Sequence, residues 1–237
     1  MTTTAPGGHP DPGWTIVVPV KSLAHAKSRL TGTLAPHARR ALVLAMASDV
    51  LDACVATEGV ARVRVVTGDG EVAALARGRG LEVVPEPDAR PDADPLNPAL
   101  AAALAGTPGP VAVVTADLPE LRPEHLHRIL SAAARHPHSV LPDHRGAGTT
   151  MAFWTGSGSE RVPRFGTDSA SRHLLEGGAV PLTGADPTGA AARDVDTPED
   201  LARLTARAVG GATASAIGAL GDVLPPHAGG VSATMVP

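Results

Sequence analysis

Trp14-Thr15-Ile16-Val17-Val18-Pro19-Val20 is followed at once by Lys21-Ser22-Leu23-Ala24-His25-Ala26-Lys27-Ser28-Arg29-Leu30. The first stretch is a continuous apolar run, the pattern of a strand covered on both faces. The second is polar, holds cations at Lys21, Lys27 and Arg29, and runs on as a loop to Thr33. A helix is expected from about Pro36 to Glu58. Its stripe Leu42, Met46, Val50, Cys54 recurs every four residues, and Pro36 suits a first turn. A buried strand, a polar loop and then a helix make the opening unit of an open α/β sheet.

The alternation continues downstream. Val63–Thr67 reads as a strand, Glu71–Arg79 as a short helix and Leu81–Val84 as a further strand. A Pro/Asp-rich loop fills Pro85–Pro95, ahead of a small-residue helix over Asn97–Leu104. Val111–Thr115 is the second strongly apolar strand, and Arg122–His136 a helix with Leu126, Ile129, Leu130 and Ala133 on one face. Such alternation predicts a mostly parallel, doubly wound sheet. From Ser139 the pattern changes to short strands at Met151–Trp154, Val180–Leu182 and Arg193–Val195, with Gly-rich loops and a helix near Ser169–Glu176. That predicts a mixed-sheet C-terminal half laid over the mouth of the first. A last helix is expected over Thr197–Ala208, with Thr197 as N-cap, Pro198 at the first turn and Asp200 completing a near capping box. Residues 1–13 and 210–237 are rich in small residues, Gly and Pro, and are expected to be a disordered leader and tail around one domain at 14–209.

Composition narrows the function. The chain has 237 residues, net charge −4 and 20 Lys plus Arg, so it lacks the basic footprint of a nucleic-acid binder. Tyr is absent and Phe and Trp number two each, which leaves no aromatic platform for stacking bases. No apolar run is long enough to span a membrane, and the start has no signal pattern. A single cysteine, Cys54, excludes a disulfide framework and sits on a core stripe. The His125/His127 and His136/His138 pairs are spaced i, i+2, so on a helix they point to different faces and do not form a zinc site. These features predict a soluble cytoplasmic protein.

Three segments and a pair of turns could carry chemistry. Lys21, Lys27 and Arg29 follow the first strand, where ligands bind in open α/β sheets, and would suit a triphosphate. The glycines of known phosphate loops are missing, and a solvated basic loop would look the same. Asp117 lies two residues past a buried strand and could bind a hard cation such as Mg²⁺, or simply start a turn. Asp194 and Asp196 alternate to one side of their segment, and Asp196 precedes a helix start, where a carboxylate is favoured in any case. Paired across a cleft, Asp117 and Asp196 would make a two-carboxylate Mg²⁺ site. The turns Asp143–Thr150 and Phe165–His173 combine glycines with hydroxyls near a helix start, which suits an anion, a hairpin or a cap.

Six segments in order resemble the phosphoenolpyruvate / 2-phospho-L-lactate guanylyltransferases of coenzyme F420 biosynthesis. They are Val18-Pro19-Val20-Lys21-Ser22 with Lys27-Ser28-Arg29-Leu30, then Leu96-Asn97-Pro98-Ala99-Leu100, then Thr115-Ala116-Asp117-Leu118-Pro119. Gly148-Thr149-Thr150, Phe165-Gly166-Thr167-Asp168-Ser169-Ala170 and Asp194-Val195-Asp196-Thr197-Pro198-Glu199-Asp200-Leu201 follow. The chain departs from the family pattern at Pro95, where Gly is usual, and at Ala147, where Thr is frequent. The resemblance implies a nucleotidyltransferase of glycosyltransferase-A-like fold that transfers GMP from GTP to phosphoenolpyruvate, or to 2-phospho-L-lactate, and releases pyrophosphate. It implies Mg²⁺ on Asp117 and Asp196, and the acceptor acid on Thr150, Gly166 and Ser169. It also implies that Lys21, Lys27, Arg29 and Asn97 serve the nucleotide, the three cations being catalytic. A homodimer and a hand-over of product to the next transferase stay open as partners. Other classes weighed against it are a molybdenum-cofactor or sugar-phosphate nucleotidyltransferase, a glycosyltransferase, and a non-catalytic nucleotide-binding module. The first of these typically opens with a Gly-rich loop that is absent here.

Overall fold

The fold comes from a computed structural model whose described residues are 13–24, 26–86, 95–156, 161–204 and 207–220. The expected leader lies outside them except for Gly13, as does most of the loop at 85–95. The strands are β1 (Trp14–Pro19), β2 (Val60–Val66), β3 (Glu82–Val84), β4 (Val111–Val114), β5 (His138–Pro142), β6 (Thr149–Trp154) and β7 (Val180–Pro181). They form one sheet in the order β3-β2-β1-β4-β6-β5-β7. The first four are mutually parallel, β6 runs antiparallel to both β4 and β5, and β7 is parallel to β5. The expected parallel half and mixed half are therefore one continuous sheet.

Helices cover both faces because the central strands are apolar on both. Ile16 and Val18 pack with α1 (Pro36–Ala56) and α4 (Pro123–Ala133), while Val17 packs with Leu100 and Leu104 of α3 (Leu96–Leu104). Successive side chains on a strand point to opposite faces, so one unbroken apolar run serves two cores. Cys54 on α1 is fully buried, and burial pushes its thiol up to about 12. Between β2 and β3, α2 (Gly70–Arg77) starts on Asp69, whose side chain accepts from the Glu71 and Val72 amides. Among the described residues, no helix is long and apolar enough to cross a membrane.

The second half differs from expectation in detail. Residues 193–195 join no ladder; Val195 N–H donates a single bond, 3.2 Å, to the Asp117 carbonyl. The helix expected near Ser169–Glu176 is a single turn, α5 (Ser169–Ser171), followed by a wider π turn at Arg172–Glu176. The last expected helix is α6 (Pro198–Leu204), with the capping box formed: Thr197 N–H donates to Asp200 Oδ2 at 3.0 Å, and Asp200 N–H to Thr197 Oγ1 at 3.2 Å.

The expectation of a structureless tail from residue 210 is corrected for its first part. Gly211–Leu220 forms a helix, α7, that lies on α1, with Leu220 buried and Ile217 against the core. Its composition hides this because the helix start is capped from elsewhere in the chain. Asp49 on α1 accepts from Ala212 N–H at 3.0 Å and Thr213 N–H at 2.8 Å. Gly210 makes that approach possible, since a Cβ there would come within 2.1 Å of the Asp49 carboxyl carbon. Residues 221–237 lie outside the described residues.

Asp49→Ala should lower the melting temperature by roughly 2–4 °C, because losing a helix cap costs about 1 kcal/mol. Truncation after Val209 should lower it further by calorimetry. An unchanged melting temperature in both variants would show that α7 contributes nothing to stability.

Candidate active site

The site forms where β1 and β4 end and the 193–200 segment crosses them. Asp117 follows β4 by three residues, and its own carbonyl accepts the Val195 amide. That bond lays Asp194 and Asp196 on either side of it. One carboxylate oxygen from each of Asp117, Asp194 and Asp196 lies within 4.8 Å of the others. Sequence alternation placed Asp194 beside Asp196 without giving it a role, yet it is a full member of the cluster.

Like charges this close need compensation, and Lys27 supplies it. Its ammonium donates to Asp117 Oδ2 in a very short bond and to Asp196 Oδ1 at 2.6 Å. Burial alone would lower the Lys27 pKa, but the Asp117 and Asp196 carboxylates more than offset it and hold the group above the usual lysine range. Burial likewise works against the charged form of Asp117, and the Lys27 ammonium outweighs it and keeps that carboxyl low. Asp194 has no such partner. Burial first, then repulsion from Asp117 and Asp196, push it up to about 6. His144 Nδ1 is 3.4 Å from its Oδ1.

Arg29 stands at the rim, with its side chain 70% exposed and Nη1 3.8 Å from Asp196 Oδ2. Lys21 is exposed and lines two adjoining hollows. One, of about 330 Å³, is walled largely by apolar groups, including Pro19, Val20, Val43 and Leu96. The other, about 540 Å³, is more polar and holds Thr149, Thr150, Gly166, Ser169 and Asp194. Asp117 and Asp196 belong to both.

The polar hollow rests on two turns. In the β5–β6 turn, Asp143 accepts from the amides of Arg145, Ala147 and Gly148. A Cβ on Gly148 would lie 2.6 Å from Asp143 Oδ2, so only glycine fits. In the second turn, Gly166 has φ +110° and Asp168 φ +51° before α5 begins at Ser169. Ala170 N–H donates to the Ala147 carbonyl at 3.1 Å, which joins the two turns. Thr150 Oγ1 donates to the Leu141 carbonyl at 3.3 Å, whereas the buried Thr149 hydroxyl has no hydrogen-bond partner. Thr149 was not distinguishable from Thr150 by sequence; its orphaned hydroxyl is the structural signal.

Asn97 lines neither hollow, and its side chain is held by the second turn. Its amide donates to the Phe165 carbonyl at 2.9 Å and its oxygen accepts from the Phe165 amide at 2.8 Å. It clamps the second turn. Behind that turn His173 is fully buried against Phe165 and His138, and burial first, then the neighbouring His138, push it down to about 3. It is therefore a neutral packing group.

The donor set suits a hard divalent cation. All three side chains offer oxygen, a buried Oδ1 on both Asp117 and Asp194 lacks a hydrogen-bond partner, and a lysine ammonium already stands among them. Two polyanion-sized hollows sharing a carboxylate wall can bring two phosphorylated ligands to one metal.

Residues 14–215 match the family model described as "Guanylyl transferase CofC like". The chain belongs to this family. It is 45% identical over 202 residues to the phosphoenolpyruvate guanylyltransferase of Nocardia farcinica, covering 83% of this chain and 87% of that one. It is 44% identical over 206 residues to the Streptomyces coelicolor enzyme of the same name, covering 85% and 94%. Among solved structures, a protein of Desulfovibrio desulfuricans G20 described as a nucleotide-diphospho-sugar transferase superposes with TM-score 0.65 at 13% identity, covering 89% of this chain and 96% of that one. A Mycobacterium tuberculosis H37Rv protein solved with manganese does so with TM-score 0.50 at 22% identity, covering 84% and 100%. These two bear on the fold alone, and that fold is the nucleotidyltransferase-like α/β architecture expected from the sequence.

Asp117→Asn and Asp196→Asn should each abolish turnover in a pyrophosphate-release assay while circular dichroism stays native. Near-normal release by either would remove that residue from the site. Without metal, Asp194→Asn should melt higher than the parent above pH 6, since the parent's charged Asp194 is destabilised there. The two should converge below about pH 4, near the group's ordinary 3.8, where Asp194 is protonated both folded and unfolded.

Proposed function

We propose that the chain transfers GMP from GTP to phosphoenolpyruvate. An oxygen of the acceptor's phosphate attacks the α-phosphorus of GTP, the bond from that phosphorus to the β-bridging oxygen breaks, and pyrophosphate leaves. The product is enolpyruvyl-diphospho-5'-guanosine. The observation that supports this most is the pair of hollows meeting at Asp117 and Asp196, one largely apolar and one built of turns, hydroxyls and glycines. The apolar side suits a nucleoside and the polar side a small phosphorylated acid.

Asp117, Asp196 and Asp194 would hold Mg²⁺, which when bound neutralises phosphate oxygens and aligns donor with acceptor. The remaining work falls to the chain. Lys21 reaches both hollows and Arg29 stands beside Asp196, so each can neutralise phosphate charge. Ser169 opens α5, and with Thr150 and the Gly166 backbone it would receive the acceptor's carboxylate. Asn97 holds that turn in place through Phe165. The attacking phosphate is already ionised at neutral pH, so no general base is required. Positioning and charge neutralisation carry the reaction. The reaction belongs in the cytoplasm, where both substrates are made.

The preference for phosphoenolpyruvate follows from shape and agrees with the names of the relatives. A planar vinyl carbon leaves the phosphate turned toward the carboxylate wall, whereas the tetrahedral carbon of phospholactate needs more depth. The gap in kcat/KM between the two acids at saturating GTP should be about 10–100-fold. Equal or higher efficiency with phospholactate would overturn the preference. Ser169→Ala should weaken use of both acids more than it weakens GTP binding, with the product checked by mass.

A further inference from the structure

Lys27 is held in an unusual way for a lysine near a phosphate site. Its φ is +53°, and among the described residues only Asp168 shares a positive φ without being glycine. A lysine rarely adopts that conformation, and the surrounding structure has to impose it. Leu30 is fully buried, and its amide donates to the Lys27 carbonyl at 2.9 Å, closing the turn. Arg39 on α1 braces the same turn by donating to Thr31 Oγ1 at 2.8 Å. The result is an ammonium placed between Asp117 Oδ2 and Asp196 Oδ1 rather than in open solvent.

A divalent cation bound by the cluster, on these oxygens or on the unpartnered Asp117 Oδ1, would lie close to the ammonium. Two cations this close repel each other strongly, and in a partly buried site that repulsion is poorly screened. Three carboxylates against one ammonium still leave the cluster net negative, so a cation is attracted while Lys27 obstructs it. Lys27 also lines the largely apolar hollow and not the polar one, so a displaced ammonium has space on the side assigned to the nucleotide.

We propose that Lys27 is an internal counter-cation that holds Asp117 and Asp196 in the metal-free enzyme, gives way when the metal enters, and then pairs with the nucleotide's phosphates. This rests on the reading of Asp117, Asp194 and Asp196 as the metal ligands. It makes metal and nucleotide binding mutually dependent. Metal alone has to displace an ammonium with nowhere charged to go, whereas a triphosphate offers that ammonium new partners. Coupling of this kind is reciprocal, so metal must tighten nucleotide binding by the same factor.

The test is Mn²⁺ binding to the full chain, followed by the electron paramagnetic resonance signal of the free ion, with and without a non-hydrolysable GTP analogue. Lys27→Met should bind Mn²⁺ roughly tenfold or more tightly than the parent in the absence of nucleotide. Lys27→Arg, which keeps the charge, should stay near the parent. The analogue should tighten Mn²⁺ binding more in the parent than in Lys27→Met. A purely structural lysine would change the melting temperature without producing this gain in metal affinity. If Lys27→Met does not fold, Lys27→Gln replaces it, and the same gain is expected. Folded variants that bind Mn²⁺ no tighter than the parent overturn the exchange and leave the metal site standing. Absence of Mn²⁺ binding in every protein, with and without the analogue, overturns both.

Discussion

The bridge from Lys27 to Asp117 and Asp196 is the contact on which the site depends. Asp117 lies at the end of the parallel half of the sheet, and Asp196 just before α6. Bringing them together with Asp194 concentrates three negative charges in a partly buried space, which is unfavourable unless something opposes it. A lysine from the loop after β1 does so, and the loop's left-handed backbone is the cost of reaching that far. All three segments are thus fixed by one ammonium. Asp194 takes no hydrogen bond from that ammonium, and burial, with repulsion from Asp117 and Asp196, makes it the carboxyl pushed up.

The support behind the bridge runs through a further carboxylate, Asp200, that lines neither hollow. Asp200 is almost fully buried, caps α6, and accepts from the Asp196 amide at 3.2 Å. Arg145 donates to both of its oxygens at 2.9 Å. Arg145 belongs to the β5–β6 turn, whose Ala147 carbonyl accepts from Ala170 in α5, just after the other turn. A continuous set of hydrogen bonds therefore links the segment of Asp194 and Asp196 to the polar hollow. Asp200 is buried but the Arg145 side chain is 40% exposed, so desolvation of the one and solvent screening of the other leave the pair little net stabilisation. What the pair supplies here is a fixed position.

Much of this was legible in the sequence wherever a local pattern had a local cause. The runs Ile16–Val18 and Val111–Val114 read as buried strands because both faces are covered, and Thr197-Pro198-Glu199-Asp200 read as a helix start because all its capping groups lie within four residues. Function became legible from the order of six short segments rather than from any one of them. What stayed hidden shares a cause as well. The cap of α7 comes from Asp49, more than 160 residues earlier, so Gly211–Leu220 shows only its weak composition. Nothing in the window around Asn97 shows that Phe165, 68 residues later, engages both ends of its amide. Residues 193–195 alternate like a strand, yet they contribute one backbone bond, to Asp117. In each case the deciding partner is distant in sequence, and no window centred on the residue contains it.

The two hollows are built on different physical terms, and that difference bears on how each substrate is recognised. The polar one is defined by backbone geometry: Gly148 and Gly166 sit where a side chain would clash or strain, and Asp143 and Asn97 hold the turns by hydrogen bonds to amides and carbonyls. Such a surface has its shape before a ligand arrives, so it can discriminate small differences in a three-carbon acid but cannot adapt to larger ones. The largely apolar one carries its positive charge on the side chains of Lys21 and Lys27, while Arg29 stands at the rim of the polar one beside Asp196. An ammonium is a point charge that neutralises whatever phosphate enters and defines little about its shape. Under the proposed assignment of acid and nucleotide to the two hollows, selection among acids belongs to the turns, and retention of the nucleotide belongs to charge and weakens as salt screens it.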